Sequence, residues 1–473
     1  MATLADAASV RSTITDLIAR EEECFLRRQP RSAAWTERAR RSLAGGATSN
    51  WMIARPGTVW LSHGAGSRVY DVDGNEYVDL HGGYGVMVVG HAHPAVVEAV
   101  ERRVRLGTHF AQPTEDALVV AEELGARFGL PLWRFCNSGT EATMDAVHLM
   151  RAITGRDLIV KIEGSYHGHH DAVMVSMYST EDELGPRERP RSVAAGNGIP
   201  QAMVDLAVVV PFNDLAVLER ALVEHEGRIA GMIMEPLMMN AGIVPPQPGY
   251  LEGVRELTRR HRALLAFDEV KTGLTVGPGG ATRLFGVQPD IVCLAKAMGG
   301  GLPCGAIGGT EEVMSAIADG RYEQVGTFNG NPLTMAAARA TLTEVLVPSA
   351  YERFDALGRR MLDRSLSALR SAGVPVYGHR FGAKGCLVFH PHPVQDYRDF
   401  LYVDGNFSHA HWLIQHNGGV FLPPWGKSEQ WTLSVQHGLD DADRFISNVG
   451  QLARDLGQLD SWSTGPARGA FFV

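Results

Sequence analysis

Residues 264–301 read LLAFDEVKTGLTVGPGGATRLFGVQPDIVCLAKAMGGG. Two short apolar runs, Leu264–Phe267 and Ile291–Leu294, flank a glycine-rich stretch, and each ends close to an ionisable residue, Asp268 and Lys296 respectively. Runs of this length bounded by turn residues read as buried strands of a parallel sheet. In such folds ligands sit beyond the carboxyl ends of the strands. Similar runs recur outward from this stretch, at Trp133–Phe135, Leu158–Ile162, Leu206–Val210 and Ile229–Met234. Helical patterns lie between them at Thr140–Ile153, Leu215–Val223 and Leu251–Arg262. The alternation predicts an α/β domain with a mostly parallel sheet.

Beyond residue 345 the pattern changes. A long helix over Ala350–Ala372 leads to short strands near Pro375–Tyr377 and Gly385–Phe389. Another helix follows, then strands near Val420–Leu422 and Trp431–Val435 and a last helix over Asp440–Leu456. This predicts a smaller α+β domain. Arg68 to Leu80 carries strand-formers on both sides of Asp73-Gly74, a hairpin signal. The expected division is a helical extension over 1–45, with one or two surface helices in 12–44, and a segment 46–95 contributing to the small domain. The large domain covers 96–345, the small domain 346–460, and a frayed tail 461–473. Two long loops, 179–200 and 272–286, interrupt the large domain; loops of that length are usually functional or mobile.

Composition narrows the chemistry. The net charge is −9, against a protein held to nucleic acid by phosphate contacts. No apolar run reaches membrane-spanning length, and no secretory signal is apparent. The five cysteines are scattered, with no CxxC pair, and the histidines at 167, 169 and 170 lack metal-ligand spacing; no metal site is expected. A reducing cytoplasm is the simplest home. Lys and Arg together number 44, yet only five are lysines: Lys161, Lys271, Lys296, Lys384 and Lys427. Arginine stays protonated, whereas a buried lysine loses its proton readily and becomes a nucleophile.

Asn137-Ser138-Gly139-Thr140-Glu141 follows a strand and opens a helix, a cradle for phosphate or a plain helix cap. Asp268 reads as a partner for a protonated ring nitrogen or as a strand-end carboxylate. Lys296, between an apolar strand and three glycines, suits imine formation; the alternative is a snorkelling surface lysine. Tyr166, after the strand Leu158–Ile162, can stack on a planar ring, or belongs to the core. Thr327, in Gly326-Thr327-Phe328-Asn329-Gly330-Asn331-Pro332, offers a hydroxyl to an anion or lies in an ordinary capped loop. A phosphate arm, a ring, a basic nitrogen and an aldehyde are the four handles of pyridoxal 5′-phosphate (PLP), and the set answers them one by one.

The same stretches, with Tyr70–Gly74, Gly90-His91-Ala92-His93-Pro94 and Glu235-Pro236, make the chain from about Ala44 to Leu456 resemble the class III aminotransferases. Within them it is most similar to the glutamate-1-semialdehyde 2,1-aminomutases. The resemblance implies a PLP enzyme of fold type I: a large domain with a mixed, mainly parallel seven-stranded sheet, a small α+β C-terminal domain, and a homodimer sharing its active sites. It implies Lys296 as the Schiff-base lysine and Asp268 as the partner of the pyridine nitrogen. Val270 and Tyr166 would take opposite faces of the ring, with His167 beside them. Ser138, Gly139 and Thr140 would hold the phosphate, joined by Thr327 from the neighbouring subunit. Asn240 would lie near the ring hydroxyl. Trp51, Tyr84, Glu235, Lys427 and Glu429 would face the substrate.

The departures bear on the substrate. Where aminomutases carry an arginine for the substrate carboxylate, this chain has Met52, and Tyr84 replaces a family tryptophan. Lys271 stands where Met is usual. These changes argue against glutamate-1-semialdehyde and for a more apolar pocket wall, with Arg55, Lys427, Arg187, Arg189 and Arg191 as other candidates for a carboxylate. The expected activity is PLP-dependent transfer of an amino group between an amine or amino acid and a carbonyl compound. An aminomutase or a PLP racemase/epimerase is the alternative on the same scaffold, as is a catalytically silent PLP fold. A nucleotide-binding α/β protein is the alternative outside it, but neither GxxxxGK[ST] nor a well-placed GxGxxG is present.

Overall fold

The structure, a computed structural model, describes residues 4–424, 427 and 430–457; the expected tail and Glu429 lie outside them. The chain forms two compact units. The larger holds Pro94–Tyr351 and Val394–Leu401; the smaller holds the residues up to His93, Glu352–Pro393 and those from Tyr402 on.

The large unit is built on seven strands, labelled here in chain order: β1 Leu132–Cys136, β2 Leu158–Ile162, β3 Ala207–Val210, β4 Ile229–Met234, β5 Leu264–Asp268, β6 Ile291–Ala295 and β7 Gly305–Gly309. Their order across the sheet is β1-β7-β6-β5-β4-β2-β3. The pairs from β6 to β3 are parallel, and β7 runs antiparallel to both β1 and β6. This is the mixed, mainly parallel sheet expected. The runs read from sequence all form strands. β7 escaped because its sequence, GAIGG, is poor in strand-formers. Its glycines answer a packing need: a Cβ on Gly308 would stand 2.5 Å from the Trp133 ring.

The helix Gly139–Thr154 lies against the sheet, burying Ala142, Ala146, Leu149 and Met150 on Ile159, Ile233, Ala266, Ile291 and Ile307. Each such aliphatic side chain contributes about 1.5–3 kcal/mol when fully buried. One lysine lies within this sheet. Lys161, in β2, is 0% exposed and donates from Nζ to the carbonyls of Ile162 (3.1 Å), Ser165 (3.3 Å) and Val175 (2.7 Å). Three acceptors suit the three N–H bonds of an ammonium, while burial pushes its pKa down to about 7, opposed by Glu235 and Glu163.

Lys161→Met is expected to destabilise the protein by roughly 3 kcal/mol, because three buried carbonyls lose their donor. The wild type should also gain stability as pH rises. Its folded state releases the proton near pH 7 and the unfolded chain near the ordinary 10.5, so the unfolded chain binds more protons between these values. The methionine variant should lack that rise; melting temperatures of both proteins from pH 6.5 to 9 check it.

The smaller unit contains a four-stranded sheet (Leu61–Ala65, Arg68–Asp71, Glu76–Asp79, Val420–Phe421) and an antiparallel three-stranded one (Tyr377–Phe381, Lys384–Val388, Gln430–Thr432). The expected hairpin forms around Asp73-Gly74. The N-terminal helices run over Leu4–Arg28 and Pro30–Ala39. The first is not the surface helix that its arginines and glutamates suggest. Ile14, Leu17, Ile18 and Phe25 are buried, and the Phe25 ring meets Trp412 at 5.7 Å and His416 at 4.7 Å. No described helix is long and apolar enough to cross a membrane.

Candidate active site

The carboxyl ends of the parallel strands carry the ionisable groups. Asp268 is the last residue of β5 and pairs in register with Cys293 of β6. Its side chain is 5% exposed; Oδ1 accepts the Val270 N–H at 2.9 Å and Oδ2 lies 2.7 Å from His167 Nδ1. A carboxylate has about four acceptor positions, so Asp268 retains capacity for a further N–H donor. His167 is itself buried, and its Nε2 has no partner within the structure.

Lys296 follows β6 and opens a one-turn 3-10 helix, Lys296–Gly299. Its φ is +50°, a left-handed conformation that costs a non-glycine residue on the order of 1 kcal/mol and concentrates at functional sites. Nζ makes no hydrogen bond among the described residues, in contrast to the three made by Lys161. Burial lowers its pKa, opposed by Asp268 and Glu235. An amine so placed loses its proton more easily than a surface lysine and is available to attack a carbonyl.

Ser138 caps the helix Gly139–Thr154, its hydroxyl accepting the Glu141 N–H at 3.2 Å. The cap reading and the cradle reading therefore meet in one turn, since the helix N-terminus still presents backbone N–H groups and positive dipole. Gly139 is pressed between the two ionisable strand ends. A Cβ there would stand 2.9 Å from Val270 Cγ1 and 3.6 Å from Ala295 Cβ. This packing sets the helix N-terminus beside the residues that follow Asp268 and precede Lys296. The Thr140 hydroxyl accepts the His169 N–H at 3.1 Å, joining the cradle to the Tyr166-His167 turn.

Tyr166 is half-buried, and its N–H donates to Glu235 Oε1 at 3.1 Å. Asn240 Nδ2 donates to the same oxygen at 2.9 Å, and the Met239 N–H donates to Oε2 at 2.8 Å. Glu235, expected to face the substrate, is thus 3% exposed with both oxygens engaged internally; it joins the turns bearing Tyr166 and Asn240. Lys271 Nζ donates to the Met239 carbonyl at 3.3 Å, beside Asn240.

Tyr166, His167, Asn240, Asp268, Val270, Lys296 and the Ser138–Thr140 turn all belong to the large unit, as does Thr327. Thr327 is exposed, in a loop tied to the cradle by a 3.1 Å hydrogen bond from Asn137 Nδ2 to Asn329 Oδ1. Trp51, Tyr84 and Lys427 belong to the smaller unit. Trp51 and Tyr84 touch each other, with ring centroids 5.4 Å apart and the Tyr84 hydroxyl donating to the Trp51 carbonyl at 3.1 Å. Both line an aromatic-walled cavity of about 580 Å³ with Met52, Trp60 and Phe421. Lys427 is 8% exposed.

The loop arginines are already committed within the large unit. Arg187 pairs with Asp396, Arg189 with Glu224, and Arg191 donates to the Asp182 carbonyl. Arg55, in the smaller unit, pairs with Glu22 at 2.7 Å. The 179–200 loop is fixed by a capping box between Thr180 and Glu183 and by Ser176, which bonds to Arg191 and Val193. Glu269 was not singled out from sequence. Strand alternation turns it away from Asp268. It is fully buried, accepting from Thr272 (2.5 Å), Ala281 (2.8 Å) and Thr282 (2.6 Å), and so anchors the 272–286 loop.

A half-buried lysine and a buried carboxylate at neighbouring strand ends, with a helix N-terminus packed beside both, meet the needs of one cofactor, PLP. The fold and the site define a PLP-dependent enzyme of fold type I. The chain belongs to the class-III aminotransferases, whose family pattern matches residues 53–380. It is 40% identical over 393 residues to a glutamate-1-semialdehyde 2,1-aminomutase 2 of Brevibacillus brevis, covering 82% of this chain and 89% of that one. Among solved structures it is similar to an omega-transaminase from Sphaerobacter thermophilus (35% identity, TM-score 0.85, 90% of this chain and 97% of that one). It is equally similar to a lysine-to-alanine variant of a glutamate-1-semialdehyde aminomutase from Pseudomonas aeruginosa PAO1 in complex with PMP (31% identity, TM-score 0.85, 94% and 99% covered). The enzyme catalyses PLP-dependent amino transfer.

Proposed function

We propose that this enzyme is an aminotransferase working through Lys296, with an amine or amino acid as donor and a separate carbonyl compound as acceptor. The observation that carries the reading is the placement of Lys296 and Asp268 at adjacent strand ends, the first making no hydrogen bond among the described residues and the second with acceptor capacity to spare. Bound PLP supplies an aldehyde for the amino group and an electron-withdrawing ring. Asp268 would keep the proton on the ring nitrogen, and His167 Nδ1 holds Asp268 in place. Lys296 Nζ would hold PLP covalently and would serve as the base for the proton on the substrate carbon. Tyr166 and Val270 would pack on the two ring faces, and the Ser138–Thr140 turn would hold the phosphate.

The aromatic cavity wall of Trp51 and Tyr84, with Met52 in place of an arginine, supports a substrate with an apolar group rather than the carboxylate that such an arginine would meet. The expected result is that an aromatic or branched aliphatic amine bleaches the visible absorbance of the holoenzyme. Glutamate-1-semialdehyde should turn over at least about tenfold more slowly, the cost of a missing charge-assisted contact. Efficient turnover of glutamate-1-semialdehyde with no added acceptor would replace this reading with the aminomutase one.

Thr327 stands exposed between Val325 and Phe328, which are 75% and 58% exposed. This supports a homodimer in which Thr327 reaches the phosphate of the partner's cofactor. Sedimentation should give a dimer, and Thr327→Ala should weaken PLP binding about tenfold, the value of one hydrogen bond to a charged group. The unpaired cysteines suit a cytoplasmic enzyme.

A further inference from the structure

The segment Val394–Leu401 belongs to the large unit although the chain on either side of it belongs to the smaller one. Two of its side chains meet the two residues that precede the Ser165-Tyr166-His167 turn. Arg398 meets Glu163 through two parallel bonds, Nε to Oε1 at 2.9 Å and Nη2 to Oε2 at 3.2 Å, and Nη1 donates to the Gly185 carbonyl at 2.7 Å. The side chains are 8% and 0% exposed. The Tyr397 ring lies on Gly164, where a Cβ would stand 2.0 Å from Cδ2, and its hydroxyl donates to the Ser179 carbonyl at 3.0 Å. Asp396 pairs with Arg187, and the Gln395 carbonyl accepts from Asn213 at 2.9 Å.

A desolvated ion pair with fork-to-fork geometry is expensive to build, and it locks orientation more than it adds stability. Here it locks the end of β2 at Glu163. From that point the chain has one residue in van der Waals contact with Tyr397, then Ser165, then Tyr166, whose N–H is fixed to Glu235, and His167, bonded to Asp268. The turn is therefore held at its far end by Glu235 and Asp268 and at its near end by the 394–401 segment.

We propose that Arg398 and Tyr397 are positioning residues for the cofactor site: by gripping Glu163-Gly164 they set the height of Tyr166 over the cofactor ring and the orientation of His167 toward Asp268. This rests on the reading of Tyr166 as the residue packed on the ring. Neither residue touches the reacting atoms, so their loss should alter cofactor geometry before it alters chemistry.

The test compares holoenzymes of wild type, Arg398→Gln, Tyr166→Ala and the double variant. It reads PLP dissociation, the circular dichroism of the bound cofactor, and hydrogen exchange at the Tyr166 amide in the cofactor-free protein. Arg398→Gln should release PLP about tenfold faster, reduce the cofactor's dichroism and speed exchange at Tyr166, with far-ultraviolet dichroism unchanged. The double variant should lose less than the sum of the two single variants, because the two act through one turn. Arg398→Gln with wild-type values for all three readouts, or additive losses in the double variant, overturns the proposal. If Tyr166→Ala itself behaves as wild type, the ring-packing reading fails and the proposal with it. Should Arg398→Gln not fold, Arg398→Lys decides: it keeps the charge and loses the fork, so the same shifts support the proposal and their absence overturns it.

Discussion

Lys296→Ala is expected to lower kcat by at least about 10⁴-fold. General acid–base catalysis by a positioned side chain contributes about 10²–10⁴-fold, and Lys296 supplies that proton transfer together with the covalent hold on the cofactor. Its amine makes no hydrogen bond among the described residues, so its removal breaks none. The left-handed backbone at Lys296 is a cost to folding that alanine bears equally. The variant should therefore fold with a wild-type melting profile in the absence of PLP, and stopped-flow absorbance should detect no donor half-reaction. Added methylamine should restore a measurable fraction of the rate, since a small amine can perform the proton transfer without the tether.

Asp268→Asn is expected to lower kcat/KM by about 10²–10³-fold, the usual cost of removing one preorganised electrostatic contact from an active site. Asparagine has the same shape but no charge to hold a proton on the ring nitrogen, so the electron sink is weakened. It also changes the hydrogen bond with His167 Nδ1, leaving that buried ring to choose another tautomer. The fold should persist, because the bond from the Val270 N–H is to an oxygen that asparagine retains. The signature is a large fall in rate with a modest change in PLP affinity, the reverse of what is expected for Thr327→Ala.

Much of this site could be read from sequence because its residues lie just past strands with strong local signals. Asp268 and Lys296 follow β5 and β6, and Ser138–Thr140 opens a capped helix after β1. Residues whose meaning depends on distant partners were harder to read. His167 and Asp268 are bonded across a separation of 101 positions, and Arg398 and Glu163 across 235, with no spacing rule to connect them. The family resemblance sets Glu235 against the substrate; its actual partners, Tyr166 and Asn240, come from turns that sequence does not bring together. The loop arginines looked available for a carboxylate, yet Arg187 and Arg189 are paired with Asp396 and Glu224. The scarcity of lysine proved more informative than its count suggested: each of the five is buried or half-buried. Lys161 and Lys384 are held by internal acceptors, Lys161 by three carbonyls and Lys384 by the Thr432 hydroxyl at 2.9 Å.

Borohydride reduction of the holoenzyme followed by peptide mapping addresses the central claim most directly. Reduction fixes the cofactor on whichever lysine carries it, and this chain has only five to distinguish. The expected result is the phosphopyridoxyl mass on the peptide containing Lys296 and on no other. Cofactor fixed on Lys161 or Lys271, or reduced protein with no modified lysine, would contradict the account.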